Sequence, residues 1–367
     1  MGIFDIEVGT TTILEEKKEF KAEGDQKKPS VSCFVILEHS DAFGEAIRSY
    51  NIDILGTPMF AWVCRACPTI PATIEAEKGT NVLEIIRPYL KDSEYTLVLY
   101  SDTPLITRGS VDEILDYMSN KGLNVCKLTR GIVFRTEYIK RVGEIFAPQT
   151  YYFDEQDFIT AANYKQLAIV TEILKTRILE YHMKNGVNFE NVDLVSIDAS
   201  VTIGRGTKIM GRSCLLGRTE IGENCEIKES IVDNSKVYDN VSLDHANVVK
   251  SVIESGSCIE YRTNIVNGSM IGKNTTIGRN SDICKSSVGE NAEIGNNCYV
   301  AYSRIHAFSA LGSRCDLLGQ AQKIVRVLGN VKLGDGVRVK AGVMIGEDSV
   351  VEDLADVKQN LKKGESI

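Results

Sequence analysis

Residues 197–226 read IDASVT-IGRGTK-IMGRSC-LLGRTE-IGENCE, and residues 253–282 return to the same six-residue phrase as IESGSC-IEYRTN-IVNGSM-IGKNTT-IGRNSD. A branched aliphatic leads each unit and glycine often follows it. A small residue (Thr207, Ser213, Thr219, Cys225, Ser257, Thr275, Ser281) stands fifth. A lead aliphatic at every sixth position stacks over its counterparts in neighbouring coils and builds one continuous buried column, as in a hexapeptide parallel β-helix. Glycine in second place answers either a side-chain clash or a positive φ at a tight corner. The small fifth residue suits a second, narrower inward slot. The three-and-four spacing of an amphipathic helix is absent.

The phrase loses register through LLGQAQKIVRVLGN (317–330) and returns at Leu333-GDGVR, Val339-KAGVM, Ile345-GEDSV and Val351-EDLAD. Interruptions of a solenoid tend to loop outward, so this stretch, with Lys323 and Arg326, is expected on the surface. The β-helix is placed over 188–357, followed by a polar tail, 358–367, with a loose end.

Upstream the pattern changes. Short apolar runs at Ser32–Leu37, Thr96–Tyr100 and Ile132–Phe134 read as strands. Helical spacing appears over Gly109–Lys121, with Gly122 as its stop, and again over Glu137–Val142. Strands alternating with helices predict a parallel sheet flanked by helices over 31–164. The strongest helical signal, Asn163–Lys184 with Gly186 at its end, places a linking helix over 165–187. Residues 1–30 are polar and read as an arm.

With 367 residues, two domains are expected. The net charge of −8 argues against a nucleic-acid or anionic-membrane partner. No apolar run is long enough to span a bilayer and the N-terminus lacks a secretory pattern, so a cytoplasmic location is expected. Ten cysteines in a chain so rich in apolar residues read as small core residues rather than a disulfide framework. Cys64-Arg-Ala-Cys67 has no second ligand pair that would make it a zinc site.

Ligands of open α/β sheets bind beyond the carboxyl ends of the strands, and Asp102 stands directly after the run ending at Tyr100. A carboxylate there can hold Mg²⁺ against nucleotide phosphates, or it can simply shape the turn before Pro104.

Leu97-Val-Leu-Tyr-Ser-Asp-Thr-Pro-Leu-Ile-Thr107 resembles the L-x-x-Y-G-D-x-P-L-I segment of bacterial N-acetylglucosamine-1-phosphate uridylyltransferases. Leu55-Gly-Thr-Pro-Met59, Glu75-Ala-Glu-Lys-Gly-Thr80 and Gly131-Ile-Val-Phe134 are similar to further segments of that family, as is the join from His182 to Ala199. The bifunctional members add a hexapeptide-repeat glucosamine-1-phosphate N-acetyltransferase. The resemblance implies a Rossmann-like nucleotidyltransferase domain followed by a left-handed parallel β-helix, assembled as a homotrimer. It implies Mg²⁺ on Asp102 and Asn163, with Gly44, Arg48, Glu75, Gly79 and Thr80 toward UTP and a sugar 1-phosphate. Asn163 serves equally well as an N-cap.

Two motifs depart from the family. Its glycine-rich phosphate loop is replaced by Leu37-EHSDAFGEAI-Arg48, where Glu38, Asp41 and Glu45 bring negative charge. The stretch expected to carry the acetyltransferase histidine reads Ser309-ALGSRCDLL-Gly319, leaving His306 as the substitute base for transfer from acetyl-CoA. The resemblance implies a Mg²⁺-dependent sugar-1-phosphate nucleotidyltransferase in which these two motifs are eroded. The alternatives are a silent relative that binds a nucleotide sugar or regulates an active homologue, and a hexapeptide acyltransferase.

Overall fold

The computed structural model describes residues 29–44, 47–142, 149–150 and 155–367. The expected arm over 1–30, apart from its last two residues, and Glu45 lie outside the described residues. The chain divides into two compact units, Met1–Arg177 and Ile178–Ile367.

The first unit runs β1 (Val31–Glu38), β2 (Asp53–Ile54), β3 (Thr57–Pro58), α1 (Met59–Ala66), β4 (Ala72–Ala76), α2 (Val82–Ile86) and β5 (Tyr95–Tyr100). It continues through α3 (Arg108–Asn120), β6 (Val125–Leu128), β7 (Gly131–Arg135), α4 (Thr136–Arg141) and β8 (Gln149–Thr150). Helix α5 (Tyr164–Lys184) carries the boundary into the second unit. The main sheet has the order β4-β1-β5-β7-β6-β8.

Successive side chains of a strand face opposite ways, and here each face finds its own core. Cys33, Val35, Leu97 and Leu99 pack with Val63 of α1 and Val111, Ile114 and Met118 of α3. Phe34, Ile36 and Val98 pack on the other face with Ile86 of α2 and Ile139 of α4. Both faces being covered explains why the middle of β5 reads as an unbroken apolar run. Helix α3 starts at a capping box, the Thr107 hydroxyl accepting from Ser110 N and the Ser110 hydroxyl from Thr107 N.

The sheet is mixed, which corrects the expected all-parallel arrangement. β1 pairs in parallel with β4 and β5, but β7 runs antiparallel to both β5 and β6. The reason is local: only Thr129 and Arg130 separate β6 from β7, and so short a connection can join only antiparallel strands.

The second unit is a parallel β-solenoid whose three sheets contain ten, nine and ten strands. Lead residues stack coil over coil, as in Ile197↔Leu215, Leu215↔Val232 and Val232↔Val248. The small inward residues are buried, and their hydroxyls are satisfied by backbone carbonyls, either one coil on (Thr207 Oγ1 donates to Gly222 O at 2.8 Å and Ser257 Oγ to Gly272 O at 2.7 Å) or in the same coil (Ser213 Oγ donates to Met210 O at 2.8 Å). Cys225, Cys298 and Cys315 fill the same slots, their thiols donating to Tyr238 O (3.0 Å), Gly312 O (3.1 Å) and Gly334 O (3.2 Å).

Of the two reasons for glycine after the lead residue, the clash is the operative one. A Cβ on Gly204 would lie 2.5 Å from the carbonyl carbon of Gly222 in the next coil. The left-handed corners fall two residues later and are held mostly by Asn, for example Asn224 at φ 54° and Asn274 at φ 53°.

The silent stretch between Ile221 and Ile253 is also solenoid. Val232, Val237, Val248 and Ile253 are buried lead residues set five apart from their predecessors, because the intervening corners are one residue shorter. The interruption over 317–330 is mostly coil too: Leu317, Val325 and Val327 are fully buried, and only residues 319–324 leave the register, with Gln320 bridged to Lys323. The closing segment is docked rather than loose. Leu361 is buried and bridges to Ile345, and Glu352 N donates to Ile367 O at 2.7 Å.

Candidate functional site

The chain leaves β1 for β4 on one side and reaches β5 on the other, so the carboxyl ends of β1 and β5 bound the point where the winding of the sheet reverses. Ser101 N donates to Ile36 O at 2.9 Å and closes that edge. Asp102 follows immediately, its backbone carbonyl accepting from Ala161 N at 2.7 Å.

The Asp102 carboxylate is occupied by Arg130. Nε lies 3.1 Å from Oδ1 and 3.2 Å from Oδ2, and Nη2 lies 3.0 Å from Oδ2. The same guanidinium pairs with Glu38 at the end of β1, and its Cζ sits 3.9 Å over the Tyr100 ring. All three charged side chains are largely shielded, at 16% exposure for Asp102, 12% for Glu38 and 28% for Arg130. Burial pulls the guanidinium's pKa down, but its bonds to Asp102 and Glu38 outweigh that and leave it above the ordinary arginine value. Burial raises the Tyr100 phenol, with Arg130 opposing.

Arg130 reaches this point because of its neighbour. Gly131 has φ +144°, and a Cβ there would lie 2.7 Å from Val98 O on β5. Only glycine lets the tip of the β6–β7 hairpin lie flat against β5, opposite Leu99. The sequence offered Gly131 through the family segment but not the arginine before it.

The loop after β1 uses its own amides. Residues Asp41–Phe43 form a 3₁₀ turn. Ser40 N donates to Ser49 Oγ (3.0 Å), Gly44 N to Asp41 O (3.0 Å) and Ile47 N to Gly44 O (3.2 Å). Phe43 is buried and meets Tyr164 edge-on at 4.9 Å, while Ser40 Oγ donates to Ala162 O at 2.8 Å. Gly44 has φ +93° and open space around it, and the side chain of the exposed Arg48 has no hydrogen-bond partner among the described residues.

Asn163 stands just before α5 and caps it. Its Oδ1 accepts from Gln166 N at 3.0 Å and its Nδ2 donates to Gln166 Oε1 at 3.1 Å. Glu75 accepts from the buried Tyr50 hydroxyl at 2.5 Å, and burial followed by that carboxylate pushes the phenol up to about 12. Gly79 and Thr80 form an exposed turn in which Thr80 Oγ1 donates to Glu77 O at 2.7 Å.

The donor set does not fit Mg²⁺ as the resemblance implied. Both Asp102 oxygens are engaged by a guanidinium, Asn163 spends its side chain on a helix cap, and the described residues contain no group of three His, Cys, Asp or Glu able to hold a metal. On the solenoid, His306 is exposed and its ring has no partner among the described residues, so nothing orients it as a base. Arg326 is exposed beside Arg304 of the preceding coil.

No family model matches the chain. The bifunctional protein GlmU of Lactobacillus johnsonii is 37% identical over 122 residues, which are 33% of this chain and 26% of that protein. The bifunctional protein GlmU of Thermodesulfovibrio yellowstonii is 29% identical over 277 residues, covering 57% of this chain and 61% of that protein. Over these segments the chain is similar to the GlmU proteins. It spans less than two thirds of the length of these GlmU relatives. Among solved structures, a UDP-N-acetylglucosamine acyltransferase of Francisella novicida overlays with a TM-score of 0.34 and 17% identity, over 47% of this GlmU-like chain and 63% of that one. No helix among the described residues is long and apolar enough to cross a membrane.

Proposed function

We propose that this protein is a catalytically silent relative of sugar-1-phosphate nucleotidyltransferases, retained as a binding or regulatory scaffold. The observation that carries the reading is the loop after β1. A phosphate cradle needs free backbone N–H groups on a bare loop. Here the amides of Ser40, Gly44 and Ile47 are consumed by partners inside the protein, and the buried Phe43 ring anchors the loop. Glu38 and Asp102 against the single charge of Arg130 leave a net −1 at the edge where a triphosphate would have to sit. That repulsion acts in a shielded setting, where charge interactions are stronger than in bulk water.

The test is pyrophosphate release from UTP and N-acetylglucosamine 1-phosphate with Mg²⁺, wild type against Asp102→Ala, alongside calorimetric titration with UDP-N-acetylglucosamine. Silence predicts equal background release from the two proteins. Release by wild type well above the variant would restore the transferase reading. Heat of binding without turnover would identify the retained ligand as a nucleotide sugar. Its absence would leave regulation of an active homologue, read by adding this chain to such an enzyme. A cytoplasmic, trimeric protein is the setting this reading expects, with size-exclusion chromatography and light scattering as the check on the assembly.

A further inference from the structure

We propose that Arg130 is a built-in counter-cation that takes the place of a divalent metal at the end of the sheet and keeps one out. The inference goes beyond the silent reading, because it concerns what the two carboxylates bind rather than whether a nucleotide turns over.

Asp102 and Glu38 come from two adjacent strand ends and converge on one guanidinium. Two shielded carboxylates facing one another without a cation would repel strongly, so the pair demands a positive partner. Arg130 meets that demand without leaving the chain. Three contacts within 3.2 Å fix it to Asp102, a further bond ties it to Glu38, and the Tyr100 face below leaves the planar group little freedom to swing away. Gly131 makes this placement a property of the backbone, since its close approach to Val98 O pins the hairpin tip against β5. A divalent ion entering here would have to strip the guanidinium from both carboxylates while the arginine stayed tethered beside it. Without the arginine, the same oxygens form the kind of hard, anionic pair that binds such ions.

The experiment is a Mn²⁺ titration of the full chain, followed by the loss of the free-ion electron paramagnetic resonance signal, with no nucleotide present. Wild type is expected to bind no Mn²⁺ at about 1 mM, whereas Arg130→Met binds one ion at least about tenfold more tightly. Arg130→Gln, which keeps hydrogen-bond donors without the charge, serves where the methionine variant does not fold and is expected to bind as well. Adding Asp102→Asn to either variant is expected to abolish the site. Wild type binding one ion as tightly as the variants, with loss on Asp102→Asn, would overturn the proposal, because arginine and metal would then coexist. Folded Arg130 variants that bind nothing would also overturn it. Neither result bears on pyrophosphate release, so this inference and the silent reading fail separately.

Discussion

Replacing Gly295 and Gly329 by alanine makes the same chemical change in the same solenoid, and the structure assigns the two substitutions different outcomes. A Cβ on Gly295 would lie 2.6 Å from both C and O of Gly312 and 2.7 Å from Ser313 N, all backbone atoms of the next coil. Ordinary contact begins at 3.4 Å, so the seam must open by 0.8 Å, the difference between 3.4 and 2.6. The Gly295 N to Leu311 O hydrogen bond, 2.9 Å long, spans that seam and would be stretched beyond useful length. Losing it costs about 1 kcal/mol and overpacking about 1–3 kcal/mol, offset by about 0.4–1 kcal/mol from the stiffer unfolded chain. The net destabilisation is about 1–3.6 kcal/mol. A Cβ on Gly329 would meet only Ala307 O at 3.6 Å and Glu347 Cγ at 4.0 Å, so Gly329→Ala is expected to be neutral or slightly stabilising. Urea unfolding followed by far-UV circular dichroism reads both. With a slope near 3 kcal/mol/M, about 2 kcal/mol moves the midpoint down by about 0.7 M. The only tryptophan, Trp62, lies in the first unit, so its fluorescence transition should stay in place as a control. Equal midpoints for the two variants would refute close coil stacking as the reason for these glycines.

Asn163→Ala is expected to destabilise the first unit by about 1 kcal/mol through loss of the α5 cap, whereas Asn163→Ser retains most of it, as thermal melts would show. Thr207→Val removes a hydroxyl that donates to Gly222 O and accepts from Cys225 N, at an expected cost of about 1–3 kcal/mol. Thr207→Ser should restore most of that stability in the same urea experiment. His182 is buried, its Nε2 has no hydrogen-bond partner among the described residues, and burial lowers its pKa from 6.5 to about 4. Between those values the unfolded chain binds the proton and the folded one does not, so stability is full above pH 6.5 and falls as pH drops toward 4. The loss amounts to about 3 kcal/mol at most, and urea midpoints of His182→Leu should lack this slope.

The solenoid was legible because its packing rule is local. One inward aliphatic and one small residue per side repeat whatever the rest of the chain does, so Ile197 or Ile265 declares its burial from the pattern alone. Register was lost where a corner sheds one residue: Ile227 to Val232 and Val232 to Val237 are five-residue steps, and a fixed six-residue frame runs out of phase there. The stretch over 317–330 misled for a related reason. An excursion of residues 319–324 shifts everything after it, so buried Val325 and Val327 no longer fall in the expected frame. The docking of Leu361 rests on one apolar residue in a polar segment, too weak a signal for a periodic reading.

The candidate site was legible only where a residue's role follows from its place along the strand. Asp102 is at the carboxyl end of β5 as expected, because a strand that ends at Tyr100 delivers its next residues to that edge. Arg130 arrives by a different route. Its position depends on two pairings remote from Asp102 in sequence: the β6–β7 hairpin closed by Thr129 and Arg130, and the antiparallel β5–β7 register that sets Gly131 opposite Leu99. The usable clue was the glycine at 131, directly after an arginine at so short a turn, since glycine in a strand often marks a close approach of two backbones. That approach decides the chemistry of the site. A hairpin tip held a little further from β5 would leave Asp102 and Glu38 free to attract a metal ion, whereas one held this closely supplies their cation from within the chain.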